Sequence, residues 1–180
     1  ETRQENDLEH TDQLALVALY LCDAAHLSLD RKRVLEYALV HDLVEAHAGD
    51  THFYDTEGRV GKKEREEKAR LRLRTEFPEF QRLHELIEAY EAKTDDESKF
   101  IYALDKLLPI MNIYLDSGRN WQVENIGLDS LTTHKTAPIS LSPDIKKYYD
   151  QLVEILERNR HLFPKSSKGA PQHFTDSTQG

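Results

Sequence analysis

A chain of 180 residues is long enough for one domain with a substantial core. Its 24 Lys and Arg stand against 33 Asp and Glu, a formal charge of −9, which speaks against a nucleic-acid polymer as partner because that binding needs a basic surface. The single Cys22 excludes an internal disulfide, no run approaches the roughly 18 apolar residues of a membrane span, and no signal-peptide pattern opens the chain, so a soluble cytoplasmic protein with no membrane partner is expected.

Periodicity predicts helix almost throughout, with no alternating strand pattern, so the expected fold class is all-α, a single-domain helical bundle. The first helix is predicted over about Leu8 to Ala25, with Leu14, Val17, Leu21 and Ala24 along one stripe. A second starts at the N-cap Asp30, carries Val34, Ala38, Leu39 and Leu43, and ends near Gly49. Thr51 to Gly61 read as a loop, and from Lys62 a long helix rich in Arg, Glu and Lys is expected to be solvated and laced with helical ion pairs. Pro78 marks a break, after which Phe80 to Ala92 resumes the pattern.

Asp96 to Leu115 turns Phe100, Ile101, Leu104, Leu107 and Leu108 inward, and Pro109 is expected to kink or divide that helix. Asn120 to His134 is expected to be helical in part, and Asp144 to His161 forms the last helix, with Tyr148, Leu152, Ile155 and Leu156 inward. The expected domain covers 1–162, and residues 163–180, rich in Pro, Ser, Gly, Lys and Thr, are expected to form a flexible polar tail. Because the chain begins at Glu1 without Met, its N-terminus is treated as open to further residues.

The pattern that carries chemistry is His41-Asp42, adjacent ionisable residues in the apolar run Val34 to Ala48. Burying both is costly unless something pairs with them, and a divalent ion (Mn, Co, Fe, Ni or Zn) is the simplest partner for imidazole and carboxylate together. The dipeptide alone is a weak signal. It gains weight from His10, which opens the first helix, and from Asp105, which stands amid Tyr102-Ala103-Leu104 and Leu107-Leu108. Neighbours on a helix diverge by roughly 100°, so His41 and Asp42 share an ion only at their common edge, closed in by His10 and Asp105. Such a set leaves coordination positions for water and substrate, which is a catalytic rather than a structural arrangement.

Glu45 follows one turn later, positioned to polarise a water or protonate a leaving oxygen without being a ligand. Asp50 comes just past Gly49, where a carboxylate can reach a sugar hydroxyl. Lys99 and Lys106 flank the Asp105 turn, each a candidate for phosphate binding or for a surface ion pair. His41-x-x-x-Glu45-x-His47 is not the zinc-protease pattern, whose two His stand four apart.

The series Glu5-Asn6, Glu9-His10-Thr11, His41-Asp42, Glu45, Gly49-Asp50, Lys99 and Ala103-Leu104-Asp105-Lys106-Leu107 resembles the HD-domain phosphohydrolases, in particular the group that includes bacterial 5′-deoxynucleotidases. The resemblance covers roughly residues 3–115. It implies an all-helical fold, one divalent metal ion, and hydrolysis of a phosphate ester, typically of a 2′-deoxynucleoside 5′-monophosphate. By position, His10, His41, Asp42 and Asp105 match the family's metal ligands and Glu45 its catalytic acid or base. Asp50 matches the carboxylate that contacts the deoxyribose 3′-hydroxyl and disfavours a 2′-hydroxyl. Lys106 is carried as a substrate contact and a homodimer as an option, with no interface readable.

Two features depart from the group: its phosphate-contacting Arg precedes the first His, beyond what this chain displays, and Thr51-His52-Phe53-Tyr54 lacks the Pro often found there. A nucleoside triphosphate or another phosphoester stays open as substrate, as does a non-catalytic metal-dependent nucleotide sensor.

Overall fold

The computed structural model describes residues 6–48 and 61–164, and every regular element among them is helical. Helix α1 (Asp7–Ala24) begins with a reciprocal cap. The Asn6 side chain accepts from the Leu8 and Glu9 N–H groups while the Glu9 carboxylate accepts from the Asn6 N–H. The buried stripe of α1 is Leu14, Ala18 and Cys22, spaced by four, whereas Val17 and Leu21 are half-covered and Ala24 is exposed.

Helix α2 (Arg31–Val40) starts at the expected Asp30 cap, which accepts from Lys32 and Arg33 N–H. Tyr37 and Val40 join Val34 and Ala38 in the core, and Leu39 faces solvent. The single helix expected from Asp30 to Gly49 is interrupted, because His41 and Asp42 form a turn before α3 (Leu43–Ala48). His41 Nδ1 donates to the Ala38 carbonyl at 2.7 Å, the acceptor that the Asp42 N–H would use in an unbroken helix. The expected helix end at Gly49 lies outside the described residues, as do Asp50 and the loop from Thr51 to Val60.

Helix α4 (Lys62–Glu76) packs on α3 and contributes Ala69 and Leu73 to the core. Its Glu64–Lys68 and Arg72–Glu76 pairs, at 2.8 and 2.6 Å, are the helical ion pairs expected of a solvated surface. Helix α5 (Gln81–Ala92) packs on α2 and turns Leu83, Leu86, Ile87 and Tyr90 inward.

Helix α6 (Asp96–Leu115) is the axis of the bundle, packed against α1, α2, α5, α7 (Arg119–Val123), α8 (Leu128–Ile139) and α9 (Pro143–Arg158). Burial on several sides explains its dense apolar sequence, with Phe100, Ile101, Ala103, Leu104, Leu107, Leu108 and Ile110 all in the core. Pro109 does not divide it: the helix runs on for 20 residues although proline has no N–H to give the Asp105 carbonyl.

The segment expected over Asn120 to His134 is two helices, α7 and α8, with Gly127 capping the second. Gly118 has φ +72°, and a Cβ there would come within 2.5 Å of the Leu162 carbonyl oxygen, so glycine is required on both counts. Helix α9 buries Tyr149 with Ile145, Leu152 and Leu156, rather than Tyr148, and a 3₁₀ turn follows at Arg160–Leu162. Phe163 then stacks on Trp121 with centroids 4.5 Å apart, so the first residue of the expected tail belongs to the packed body. Residues 165–180 lie outside the described residues. No described helix is long and apolar enough to cross a membrane.

Candidate metal centre

Three elements converge on one point. The α1 cap sets His10 in the first helical turn, and α1 is held to α6 by Gln13 and Asn112, which exchange two side-chain hydrogen bonds at 2.9 and 2.8 Å. The turn after α2 presents His41 and Asp42, and α6 presents Asp105 from its middle. Potential ligand atoms of His10, His41 and Asp105 all lie within 4.8 Å of one another. His10 Nε2 is 3.0 Å from Asp105 Oδ1, and His41 Nε2 is 3.9 Å from the same oxygen. Asp42 enters from the side, its Oδ2 2.9 Å from His41 Nε2.

His41 decides what this cluster can hold. Its Nδ1 proton is committed to Ala38, which leaves Nε2 as the lone-pair nitrogen of a neutral ring. That nitrogen is buried and has no hydrogen-bond partner, even though the Asp42 carboxylate is near. Two electron-rich atoms facing each other require positive charge between or on them. Burial pushes the His41 pKa down, but the adjacent Asp42 carboxylate and the Asp105 charge outweigh it, and the net shift is upward. The same charges suit a divalent cation, and two imidazoles with two carboxylates form a borderline-soft donor set of the kind that transition metals prefer. The residues present fit such an ion.

Asp105 divides its oxygens between neighbours. Oδ1 faces the two His, while Oδ2 is 2.7 Å from Lys106 Nζ. Burial raises its pKa, but the His10 hydrogen bond and the Lys106 and His41 charges overcome that and hold it well below the usual carboxylate range. Burial likewise works against the Lys106 ammonium, and the Asp105 charge and hydrogen bond reverse the effect, leaving its pKa raised.

A cavity of about 240 Å³ opens on this cluster, lined by His41, Asp42, Glu45, Asp105 and Lys106. Expected site residues from α3 and α6 therefore share one cavity. Lys99 does not join them: its ammonium donates to the Thr94 carbonyl, and it lines a separate cavity beside Ser142. Asp50 lies outside the described residues. The cavity also takes Arg70 and Glu66 from α4, Tyr90 from α5, Lys93 after it, and Tyr102 from α6, none of which sequence reasoning singled out for chemistry. Tyr102 carried a usable signal, since it precedes Asp105 and Lys106 by three and four positions and so shares their helix face. Burial, with the nearby Asp105, Asp42 and Glu45 charges, drives the Tyr90 phenol far above its ordinary pKa and keeps it a proton donor.

Known proteins bear on this geometry. The HD-domain family model matches residues 1–146. Curated proteins named 5′-deoxynucleotidase HDDC2 are similar over 106 residues, at 37% identity in Bos taurus and 34% in Homo sapiens. Each match covers 58% of this chain and 50% of the relative, so the chain spans about half the length of the curated relatives it matches. A solved "predicted metal-dependent phosphohydrolase" from Magnetospirillum magnetotacticum MS-1 aligns with TM-score 0.76 and 31% identity, covering 91% of this chain and 83% of its own. PH0347 protein from Pyrococcus horikoshii OT3 shares the fold with TM-score 0.60 at 23% identity, covering 87% of this chain and 85% of its own.

Proposed function

Given that the chain belongs to the HD-domain family, we propose that it is a metal-dependent phosphomonoesterase that hydrolyses 2′-deoxynucleoside 5′-monophosphates to deoxynucleoside and phosphate. The observation that carries the reading is the buried lone pair of His41 Nε2, clustered with His10 and Asp105 and beside Asp42, where His41, Asp42 and Asp105 line an open cavity. The HDDC2 relatives support the substrate class, and the Magnetospirillum structure supports phosphoester hydrolysis with a metal.

In this reading His10, His41, Asp42 and Asp105 hold one divalent ion, which supplies Lewis acidity toward a phosphoryl oxygen and toward water. Glu45 moves protons at its carboxylate, taking one from the attacking water or giving one to the leaving 5′-oxygen. Lys106, fixed by Asp105, keeps an ammonium at the cavity wall that offsets charge on the transferring phosphoryl group. Tyr90 adds a neutral donor and excludes bulk water on the side of α5. Asp50 selects the sugar through the 3′-hydroxyl. The acidic chain acts on a free nucleotide rather than a polymer, in the cytoplasm, with a homodimer as an option that sedimentation checks.

Phosphate release from a panel of deoxy- and ribonucleoside mono- and triphosphates, with each of Mn, Co, Fe, Ni and Zn, tests the activity. Turnover of deoxynucleoside monophosphates above the other classes supports the reading, and preference for triphosphates or no turnover with any metal overturns it. Asp50→Ala tests the sugar assignment. Activity should fall and the deoxy-to-ribo ratio of kcat/KM should narrow, because a polar contact discriminates more strongly than apolar fit. An unchanged ratio removes Asp50 from sugar recognition.

A further inference from the structure

Lys93 is unusual in three independent respects. It terminates α5 at φ 49° and ψ 43°, a left-handed position where glycine or asparagine is the usual residue. Its half-buried side chain turns into the cavity of the metal cluster, with Nζ 4.6 Å from the Tyr102 ring centroid and 5.4 Å from that of Tyr90. Its ammonium donates to the Glu91 carbonyl at 3.2 Å, and no described carboxylate comes within ion-pair distance. The nearest candidate, the Glu91 carboxylate, is taken by Arg70.

The second ammonium of the cavity, Lys106 Nζ, lies 5.5 Å from the same Tyr102 centroid. Two cations therefore press on one ring from the same cavity. Burial disfavours the Lys93 ammonium, the Lys106 charge disfavours it further, and the Glu91, Glu66 and Glu45 carboxylates only partly compensate. A left-handed backbone and an under-compensated cation together are a standing cost to the fold, and such costs concentrate where a ligand relieves them. An anion bound in the cavity offsets the second of these costs.

We propose that Lys93 is a substrate-binding residue which, with Lys106 beside the same Tyr102 ring, grips the terminal phosphoryl group of a phosphate monoester. The inference rests on the phosphomonoesterase reading of the same cavity. It also assigns a preference. A monoester carries about −1.5 to −2 charge at neutral pH, whereas a diester carries a single charge, so two ammoniums favour the monoester. An ammonium against two aromatic rings also keeps its place while the site is empty, through cation–π attraction.

The test titrates inorganic phosphate into the metal-loaded full chain by calorimetry, for wild type, Lys93→Met and Lys93→Arg. Both replacements keep a long side chain at the left-handed position, so neither changes the backbone demand. Lys93→Met should weaken phosphate binding by about tenfold, the scale of one charge-assisted hydrogen bond, and should flatten its salt dependence. It should raise KM for a monoester substrate more than it lowers kcat, with a Tm no lower than that of the wild type, since the uncompensated charge is gone. Lys93→Arg should retain most of the affinity. Phosphate affinity unaffected by Lys93→Met overturns the proposal, as does equal loss in both variants with a lowered Tm, which makes Lys93 a brace for Tyr90 and Tyr102. Lys93-dependent phosphate binding without turnover of any phosphoester supports this subsite and removes the activity reading. Turnover with Lys93-independent phosphate binding does the reverse.

Discussion

At Asp105 one carboxylate serves two neighbours, and the geometry says which change separates them. Oδ1 faces His10 and His41 while Oδ2 holds Lys106. Asp105→Asn keeps the shape but removes the negative charge that both sides use. Metal measured in the purified variant should fall well below one ion per chain, since an amide is a far weaker ligand. Full metal retention with unaltered activity would remove α6 from the site. Glu45 makes the opposite case, for it lines the cavity but stands outside the compact trio. Glu45→Ala should leave metal content near normal while turnover drops by roughly 10²–10⁴, the scale of a general acid or base. A matching loss of metal would make Glu45 a ligand instead. His84 is a histidine of the ordinary structural kind, buried with Nε2 2.9 Å from the Phe77 carbonyl.

Among the elements, α6 depends on a cap that another helix helps to hold. Asp95 accepts from the Ser98 N–H at 2.7 Å and from the Tyr37 hydroxyl of α2 at 2.6 Å. Burial alone would raise the Asp95 pKa, but the Tyr37 and Ser98 hydrogen bonds outweigh it and lower it from 3.8. A depressed carboxyl pKa stabilises the fold above the unfolded value, and that stability is lost as pH falls through the folded value. Tyr37→Phe should therefore cost about 1.5–3 kcal/mol at neutral pH, as for a hydrogen bond to a charged group. The difference from wild type should shrink in acid, and the acid-unfolding midpoint should move to higher pH. Urea unfolding at pH 7 and at pH 3 measures both. An equal cost at the two pH values would mean the hydroxyl does not stabilise the charged form. The interrupted α2–α3 segment makes a related point, because the His41 ring takes the Ala38 carbonyl where a longer helix would have used it.

For the whole molecule, the cluster ties the N-terminal helix, the α2–α3 turn and the central helix together, so metal and fold stability are linked. A ligand that binds only the folded state adds about 2.7 kcal/mol at one hundred times its Kd. For a domain of this size that corresponds to roughly 5–10 °C in Tm. Scanning calorimetry should show a rise of that order when a fitting divalent ion is returned to chelator-treated protein. An unmoved Tm across the five metals would argue that the four groups do not share an ion.

Much of this was legible in the chain because it rests on local periodicity. The helix Asp96–Leu115, the Asp30 cap, the solvated Lys62–Glu76 surface and the candidacy of His10, His41, Asp42 and Asp105 as ligands follow from residue type and spacing, whereas the convergence of His10, His41 and Asp105 on one point depends on packing. The Asn6–Glu9 cap is legible too, since the two residues have the spacing of a capping box. Tertiary structure decided what no spacing encodes. Pro109 left α6 undivided because helices pack on it from several sides, Tyr149 rather than Tyr148 turned inward, and Phe163 found Trp121 across the chain. Lys93 is the clearest instance: it stands twelve positions before Asp105 with no local pattern that ties the two, and only the packing of α5 on α6 brings its charge to the same ring as Lys106. Periodicity reports which face of a helix is apolar, but the meeting of charges from different helices depends on how those faces pack.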